Sequence, residues 1–278
     1  MANDALLSSV LELGWSSYQS ISVDRWQNGV NSNVDDFVAE EVPVVLMYNG
    51  VSHVVMLATP TNLDDFALGF SLTEGIIAHA SELQSAKVYQ RANGVEVQLK
   101  IPDERFQGLA SKGRNLTGRT GCGLCGATTL KQAIKPSRSV TSDLTITASQ
   151  LTSALYALPM QQKLNQLTGA IHAVAWVNPE EGMVELREDV GRHNALDKLI
   201  GALLKRNTDF TCGFMVTTSR ASYEMVQKAT AVGVSILVAI SAPTALAIRL
   251  AQESGLTLIG FARESSCVIY SHPQRFTE

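Results

Sequence analysis

Three short apolar runs in the back half of the chain, Phe214–Thr218, Ser235–Ile240 and Leu256–Phe261, are separated by two stretches of helical periodicity, 221–232 and 244–254. That alternation constrains the fold more than any other feature. A strand followed by a helix of about ten residues and then another strand leaves room for a crossover but not for a tight turn, so the three strands are expected to be parallel, joined by right-handed βαβ connections. Residues 231–248 lie within this region and contain no charge over 18 positions, which touches the lower limit for a membrane-spanning helix. The punctuation argues against one. Gly233 ends a helical pattern, the run 235–240 is short and β-branched, and Ser241-Ala242-Pro243-Thr244 has the composition of a helix start.

The front of the chain carries a different pattern. Asn49-Gly50 lies between runs 44–47 and 52–57, and Asn93-Gly94 between runs 87–91 and 95–101. Asn-Gly supplies the positive φ that a two-residue hairpin turn requires. Between the two hairpins, Thr61 to Asp65 opens a helix with apolar residues Leu63, Phe66, Ala67, Phe70 and Leu72, which Glu74-Gly75 ends. The expected organisation is an N-terminal extension over residues 1–35, partly disordered, a small α+β domain over 36–110, a connector over 111–148 and an α/β domain over 149–278. The overall class is thus α/β, or α+β when both domains are counted. With 278 residues, 45% of them hydrophobic, the chain can bury cores for two such domains. A formal net charge of −4 supplies no general field for a phosphate backbone, which disfavours a nucleic-acid partner but leaves room for a local anion site. The first twenty residues carry Asp4 and Glu12 and no Lys or Arg, unlike the charged start of a secretory signal, and the expected compartment is the cytoplasm.

The connector holds the most reactive pattern, Gly118-Arg119-Thr120-Gly121-Cys122-Gly123-Leu124-Cys125-Gly126. Four glycines and no apolar periodicity suggest a mobile loop that presents sulfur. In a reducing compartment a CxxC is catalytic, redox-active or metal-binding more often than a structural disulfide. A structural zinc site lacks its second ligand pair here. A zinc deaminase would need His-x-Glu and Pro-Cys-x-x-Cys, but Gly121 precedes Cys122 and Val174 stands two places after His172. A thioredoxin-like couple would sit at a strand-to-helix turn. Thiolate chemistry fits better, because Arg114 and Arg119 favour the anion and the glycines leave it open to attack. Cys212 and Cys267 stand alone and are expected to be inert, as buried free thiols are.

Two polar constellations accompany the thiols. In a parallel sheet, ligands bind beyond the carboxyl ends of the strands. Thr218-Ser219-Arg220, Ser241 to Thr244, and Ala262 to Ser266 are expected there, with hydroxyls, backbone N–H groups and the guanidinium forks of Arg220 and Arg263 suited to a phosphate or pyrophosphate. Helix capping would also account for the hydroxyls. The second constellation, Glu188-Asp189-Val190-Gly191-Arg192-His193-Asn194, precedes a helix and could hold an acid, a base or a ligand contact, or form a self-satisfied charge network. His172, in an apolar strand, is expected to be structural.

Long motifs in order then carry a resemblance: Arg119 to Gly126, Glu188 to Lys198, Ser219 to Lys228, Ser271 to Arg275, and in the front part Glu40 to Pro43, Tyr48 to Gly50 and Phe66 to Gly75. From about Asp36 to the C-terminus the chain resembles the FdhD sulfur-carrier family, accessory proteins of formate dehydrogenase. The resemblance implies a sulfurtransferase. It would take sulfur from a cysteine desulfurase as a persulfide on Cys122, assisted by Cys125, and pass it to the molybdenum cofactor, bis-molybdopterin guanine dinucleotide, for formate dehydrogenase. It places cofactor binding on Phe261, Ala262, Arg263, Glu264, Ser265 and Ser266, to which Ser219, Arg220 and His193 are added from the strand-end constellations. A guanine nucleotide would serve as a stand-in ligand. It also implies a cytidine-deaminase-like three-layer αβα back domain without metal, and a homodimer. Glu264-Ser265-Ser266 departs from the glycines or Pro-Gly common in the family and brings a carboxylate to the expected phosphate site; Ala170 likewise replaces a residue that is commonly polar or small. The alternative function is a cofactor-binding chaperone whose CxxC only docks the desulfurase.

Overall fold

The computed structural model describes residues 14–111 and 138–278. It opens on an antiparallel ribbon of β1 (Tyr18–Gln27) and β2 (Val30–Ala39), paired over ten residues and mostly exposed. Residues 18–35 of the stretch expected as an extension belong to this ribbon. A four-stranded sheet follows, built from β3 (Val42–Tyr48), β4 (Val51–Ala58), β5 (Ser85–Arg91) and β6 (Gly94–Lys100) in the order β4-β3-β6-β5, with helix α1 (Leu63–Thr73) packed on it. Helix α2 (Asp103–Ser111) falls at the end of the stretch expected as the α+β domain.

The first hairpin turns at Asn49-Gly50, with φ of 48° and 85°, as its sequence demands. The second differs by one residue. Its loop is Ala92-Asn93, and Gly94 already belongs to β6, paired with Arg91. The reason is a close approach: a Cβ on residue 94 would lie 2.2 Å from the Pro43 carbonyl oxygen. Glycine is needed there for the neighbouring strand.

The back domain begins at β7 (Ile146–Thr147) and α3 (Ala148–Gln161). A capping box starts this helix: Gln150 N donates to Thr147 Oγ1 at 3.2 Å, and Thr147 N donates to Gln150 Oε1 at 2.9 Å. Then come α4 (Lys163–Thr168), β8 (His172–Asn178), β9 (Gly182–Asp189), α5 (Arg192–Lys205), β10 (Phe214–Thr217), α6 (Tyr223–Ala231), β11 (Ile236–Ala239), α7 (Ala245–Ser254), β12 (Thr257–Arg263), β13 (Ser266–Ser271) and β14 (Phe276–Thr277). The six-stranded sheet runs β13-β12-β11-β10-β8-β9, and β10, β11 and β12 are parallel as the alternation required. Residues 231–248 are divided among the end of α6, strand β11 and the start of α7. No described helix is long and apolar enough to cross a membrane.

One sheet face packs Val174, Trp176, Met215 and Leu237 against α5, α6 and α7. The other packs Ala175, Phe214, Val216 and Val238 against Leu151, Ala154 and Leu158 of α3. This is a three-layer αβα arrangement. Alternate residues of each buried strand therefore serve two cores, which is why these strands are apolar throughout.

The domains meet where α1 crosses α5. A Cβ at Gly69 would lie 1.8 Å from the Asp197 carbonyl oxygen, and one at Gly201 would lie 1.9 Å from that of Asp65. Each helix thus uses a glycine to seat the other's backbone. Gly201→Ala is predicted to lower stability by about 1–3 kcal/mol or more by forcing the helices apart. Denaturant melts compared with Gly108→Ala, where an added Cβ would meet nothing within 4 Å, check this; equal midpoints would refute it.

Candidate functional site

Because β8 runs opposite to β10 and β9 runs opposite to β8, the start of β8 and the end of β9 reach the same sheet edge as the carboxyl ends of β10, β11 and β12. The segments that follow these ends are tied in sequence across the edge. Ala173 N donates to Thr218 Oγ1 at 2.9 Å and Thr218 N to the Ala173 carbonyl at 3.0 Å. Thr244 N donates to the Ala221 carbonyl at 3.0 Å, and Phe261 N to the Ser241 carbonyl at 3.2 Å. The three expected loops therefore do converge.

The segment 261–266 is a bulged strand end and turn. Register shifts between Gly260 and Arg263, and Phe261 adopts φ of 49° with 46% of its surface exposed. A bulky residue in left-handed backbone, with its ring in solvent, is strain of the kind found at binding sites. Ala262 is buried beneath it. Arg263 donates to the carbonyls of Ile240 at 2.6 Å and Ala262 at 2.8 Å. Glu264, Ser265 and Ser266 are exposed, and the Glu264 carbonyl accepts from Thr152 Oγ1 at 2.9 Å.

Just after β10, Ser219 is buried, with its hydroxyl engaged by Thr217 Oγ1 at 2.9 Å and the Arg220 carbonyl at 3.0 Å. It shapes the turn, while Arg220 is exposed beside it. His193, in the first turn of α5, is buried, and its Nε2 lies 2.8 Å from Glu224 Oε2 and 3.2 Å from Ser222 Oγ. Glu224 and Ser222 are thus site residues absent from the expectations above, although both fall at the start of the helix after a strand end.

The 188–194 constellation splits in two. Asp189 turns inward, where its carboxylate accepts from Lys198 Nζ at 2.6 Å, Thr59 N at 3.0 Å, Gly191 N at 2.8 Å and Asn194 Nδ2 at 3.1 Å. Lys198 also donates to the Thr59 carbonyl at 2.9 Å, and both members of the pair are fully buried. Glu188 accepts from the backbone N–H groups of Leu164 and Asn165 at the start of α4. These carboxylates hold domains and helices together. Arg192 and His193 remain toward the edge.

His172, expected to be structural, is half-buried at the junction of β8, β9 and β10. Burial, followed by the cationic Arg192, holds its imidazole below the usual range against the opposing pull of Asp189. The folded state therefore disfavours the proton. Its stability contribution is intact above the unfolded value of about 6.5 and erodes as pH falls through it. Melting temperature is expected to drop between pH 7.5 and 5.5, with a shallower drop in His172→Gln; identical slopes would refute the assignment.

Cys122 and Cys125 lie outside the described residues. Of the two other thiols, Cys212 is exposed rather than buried, 3.5 Å from Asp209 Oδ2, while burial pushes the Cys267 thiol up. Among the described residues no His, Cys, Asp and Glu side chains gather in a metal-holding group. A cleft of about 560 Å³, lined by Tyr18, Asn62, Lys163, Leu167, Arg187 and Glu188, lies beside β9, away from the segment 261–266.

Fold and site together define an α/β protein with a four-stranded and a six-stranded sheet, the larger of which offers hydroxyls, helix N-termini and arginines at one edge. The family model described as FdhD/NarQ matches residues 39–277, and the chain belongs to that family. A relative from Cupriavidus necator, named sulfur carrier protein FdhD, is 49% identical over 93% of this chain and 90% of its own length. One of the same name from Xanthomonas euvesicatoria is 51% identical over 91% and 90%. A crystal structure of a candidate formate dehydrogenase accessory protein from Desulfotalea psychrophila superposes with a TM-score of 0.74 at 22% identity, covering 94% of this chain and all of that one. It shares the fold.

Proposed function

We propose that this protein is a sulfur carrier that serves formate dehydrogenase, loading sulfur on Cys122 and delivering it to a molybdenum cofactor held at the sheet edge. The observation that carries the proposal is the Cys122-x-x-Cys125 pair in a chain about half identical, over nearly its whole length, to proteins named sulfur carriers. In the loading step the Cys122 thiolate attacks the outer sulfur of a desulfurase persulfide. The desulfurase S–S bond breaks, its cysteine leaves as thiolate, and Cys122 becomes the persulfide. Arg114 and Arg119, close in sequence, favour the attacking anion. In delivery an electron-rich acceptor supplies the pair that bonds the outer sulfur, the Cys122 S–S bond breaks, and Cys122 departs as thiolate. Alternatively, Cys125 attacks Cys122, releases hydrosulfide and forms a disulfide that an external thiol must reduce.

The cargo, bis-molybdopterin guanine dinucleotide, is anionic through its phosphates, and the edge fits it in kind. Phe261 offers an exposed ring for a flat base, and Arg263, Arg220 and the N-termini of α5 and α6 offer positive charge. His193, braced by Glu224, and the turn held by Ser219 complete that surface. The resemblance supports a cysteine desulfurase and formate dehydrogenase as partners, a homodimer as the working form, and a cytoplasmic setting.

Intact-protein mass spectrometry after incubation with a cysteine desulfurase and L-cysteine tests the reading. A gain of about 32 Da, reversed by a thiol reductant, is expected for one added sulfur. No gain with a verified desulfurase would overturn it in favour of a cofactor-binding chaperone whose CxxC only docks the desulfurase.

A further inference from the structure

We propose that Arg192, Arg220 and His172 form a second oxyanion pocket on the sheet edge, separate from the segment 261–266, that takes a phosphoryl group of a diphosphate ester. The inference rests on the proposed function only for the identity of that ester; the pocket is argued from the geometry.

His172 pairs in register with Asp189, which leads through Gly191 to Arg192, the first residue of α5. On its other side Ala173 is bonded to Thr218, which leads to Arg220. One strand start therefore carries an imidazole between two guanidinium-bearing turns. Among the described residues neither Arg192 nor Arg220 has a side-chain hydrogen-bond or ion-pair partner, and Arg192 Nε is a buried donor left unsatisfied. A guanidinium N–H taken from water without an acceptor is costly, and a site that tolerates it is shaped for an acceptor that arrives.

The nearby carboxylates do not supply one. Asp189 is saturated by Lys198, Thr59, Gly191 and Asn194, and Glu224 is engaged by His193. Arg192 also opens an α5 whose N-cap, Gly191, has no side chain to satisfy the first amides. Guanidinium fork, helix amides and imidazole together match a tetrahedral phosphoryl group. In the order β12-β11-β10-β8-β9, the pocket lies two to four strands from Phe261. At about 4.8 Å per strand that is roughly 10–19 Å, a span suited to a ligand with two separated phosphate-bearing arms.

The test uses the full chain and inorganic pyrophosphate as probe, followed by calorimetry at low salt. Wild type is expected to bind, with affinity reduced about tenfold or more in Arg192→Ala and Arg220→Ala, as loss of a charge-assisted hydrogen bond implies. Arg25→Ala, on the exposed ribbon of β1 and β2, should bind pyrophosphate as wild type does. Arg192→Lys guards against misfolding: it keeps the charge, loses the fork, and should fall between wild type and Arg192→Ala. Unchanged affinity in a folded Arg192→Ala, or no binding by wild type, overturns the pocket. Persulfide loading, read separately by mass, can fail while pyrophosphate binding stands, so the two readings fall independently.

Discussion

Cys122→Ala is expected to abolish the mass gain of about 32 Da on exposure to a working desulfurase, and with it the activation of formate dehydrogenase. The expectation is total loss because the persulfide needs one nucleophilic sulfur to hold it; no neighbouring hydroxyl or amide can substitute. Cys125→Ala should still load once, since loading consumes only the Cys122 thiolate, but would release sulfur more slowly if Cys125 resolves the persulfide. The two variants therefore separate carrier from assistant. A Cys122→Ala protein that still activates the dehydrogenase would return the function to a docking chaperone. One in which Cys125→Ala alone loses the adduct would exchange the roles of the two thiols. Guanine-nucleotide binding should survive both substitutions, because the arginines and the bulge at Phe261 are built by the sheet edge.

The second large effect concerns stability. Lys198→Met is predicted to cost about 3–5 kcal/mol, enough to unfold a marginal domain, because it strands the Asp189 carboxylate in a buried site. Methionine fills nearly the same volume, so lost packing is a minor part. Asp189 would keep its bonds from Thr59, Gly191 and Asn194 but lose the Lys198 ammonium that pairs with it. Since Thr59 belongs to the front domain and Asp189 and Lys198 to the back one, the same change loosens their junction. Chemical denaturation of Lys198→Met and of the double variant Lys198→Met/Asp189→Asn measures this. The double variant should recover part of the loss, because a neutral amide no longer needs the ammonium. A loss below about 1 kcal/mol in the single variant would mean that the pair is solvated, against its complete burial.

Residues carried the architecture further than they carried the site. Every strand and helix of the βαβαβ unit was legible, because β10, β11 and β12 are covered on both faces and so had to be short apolar runs between amphipathic helices. The turn at Asn49-Gly50 was legible for a local reason, positive φ. The turn at 92–93 was displaced for a remote one, the Pro43 carbonyl against Gly94. In the site, the strand-end loops were foreseen from topology alone. His172 reads as structural because its neighbours in sequence are apolar, whereas its neighbours in space include Arg192 and Arg220 from two other strand ends. Asp189 presented the opposite case: within its motif it reads as a chemical group, and only its burial with Lys198 shows it to be a fastener between domains. Cys212 is a smaller instance, since an isolated thiol says nothing of its own exposure.

By itself, then, the sequence determined the thiol pair, the parallel core and the family, all of which depend on residue type and order along one stretch of chain. Tertiary structure alone decided which charges neutralise each other. Asp189 and Asp197 are taken up by Lys198 and Lys228 within the back part, Asp65 by Arg187 across the junction, and Arg192 is left toward the edge with a buried donor unmet. Whether a charged group is a fastener or a binding group depends on partners brought close by folding, from 31 residues away for Asp197 and Lys228 to 122 for Asp65 and Arg187, and on the burial that makes an unpaired charge costly.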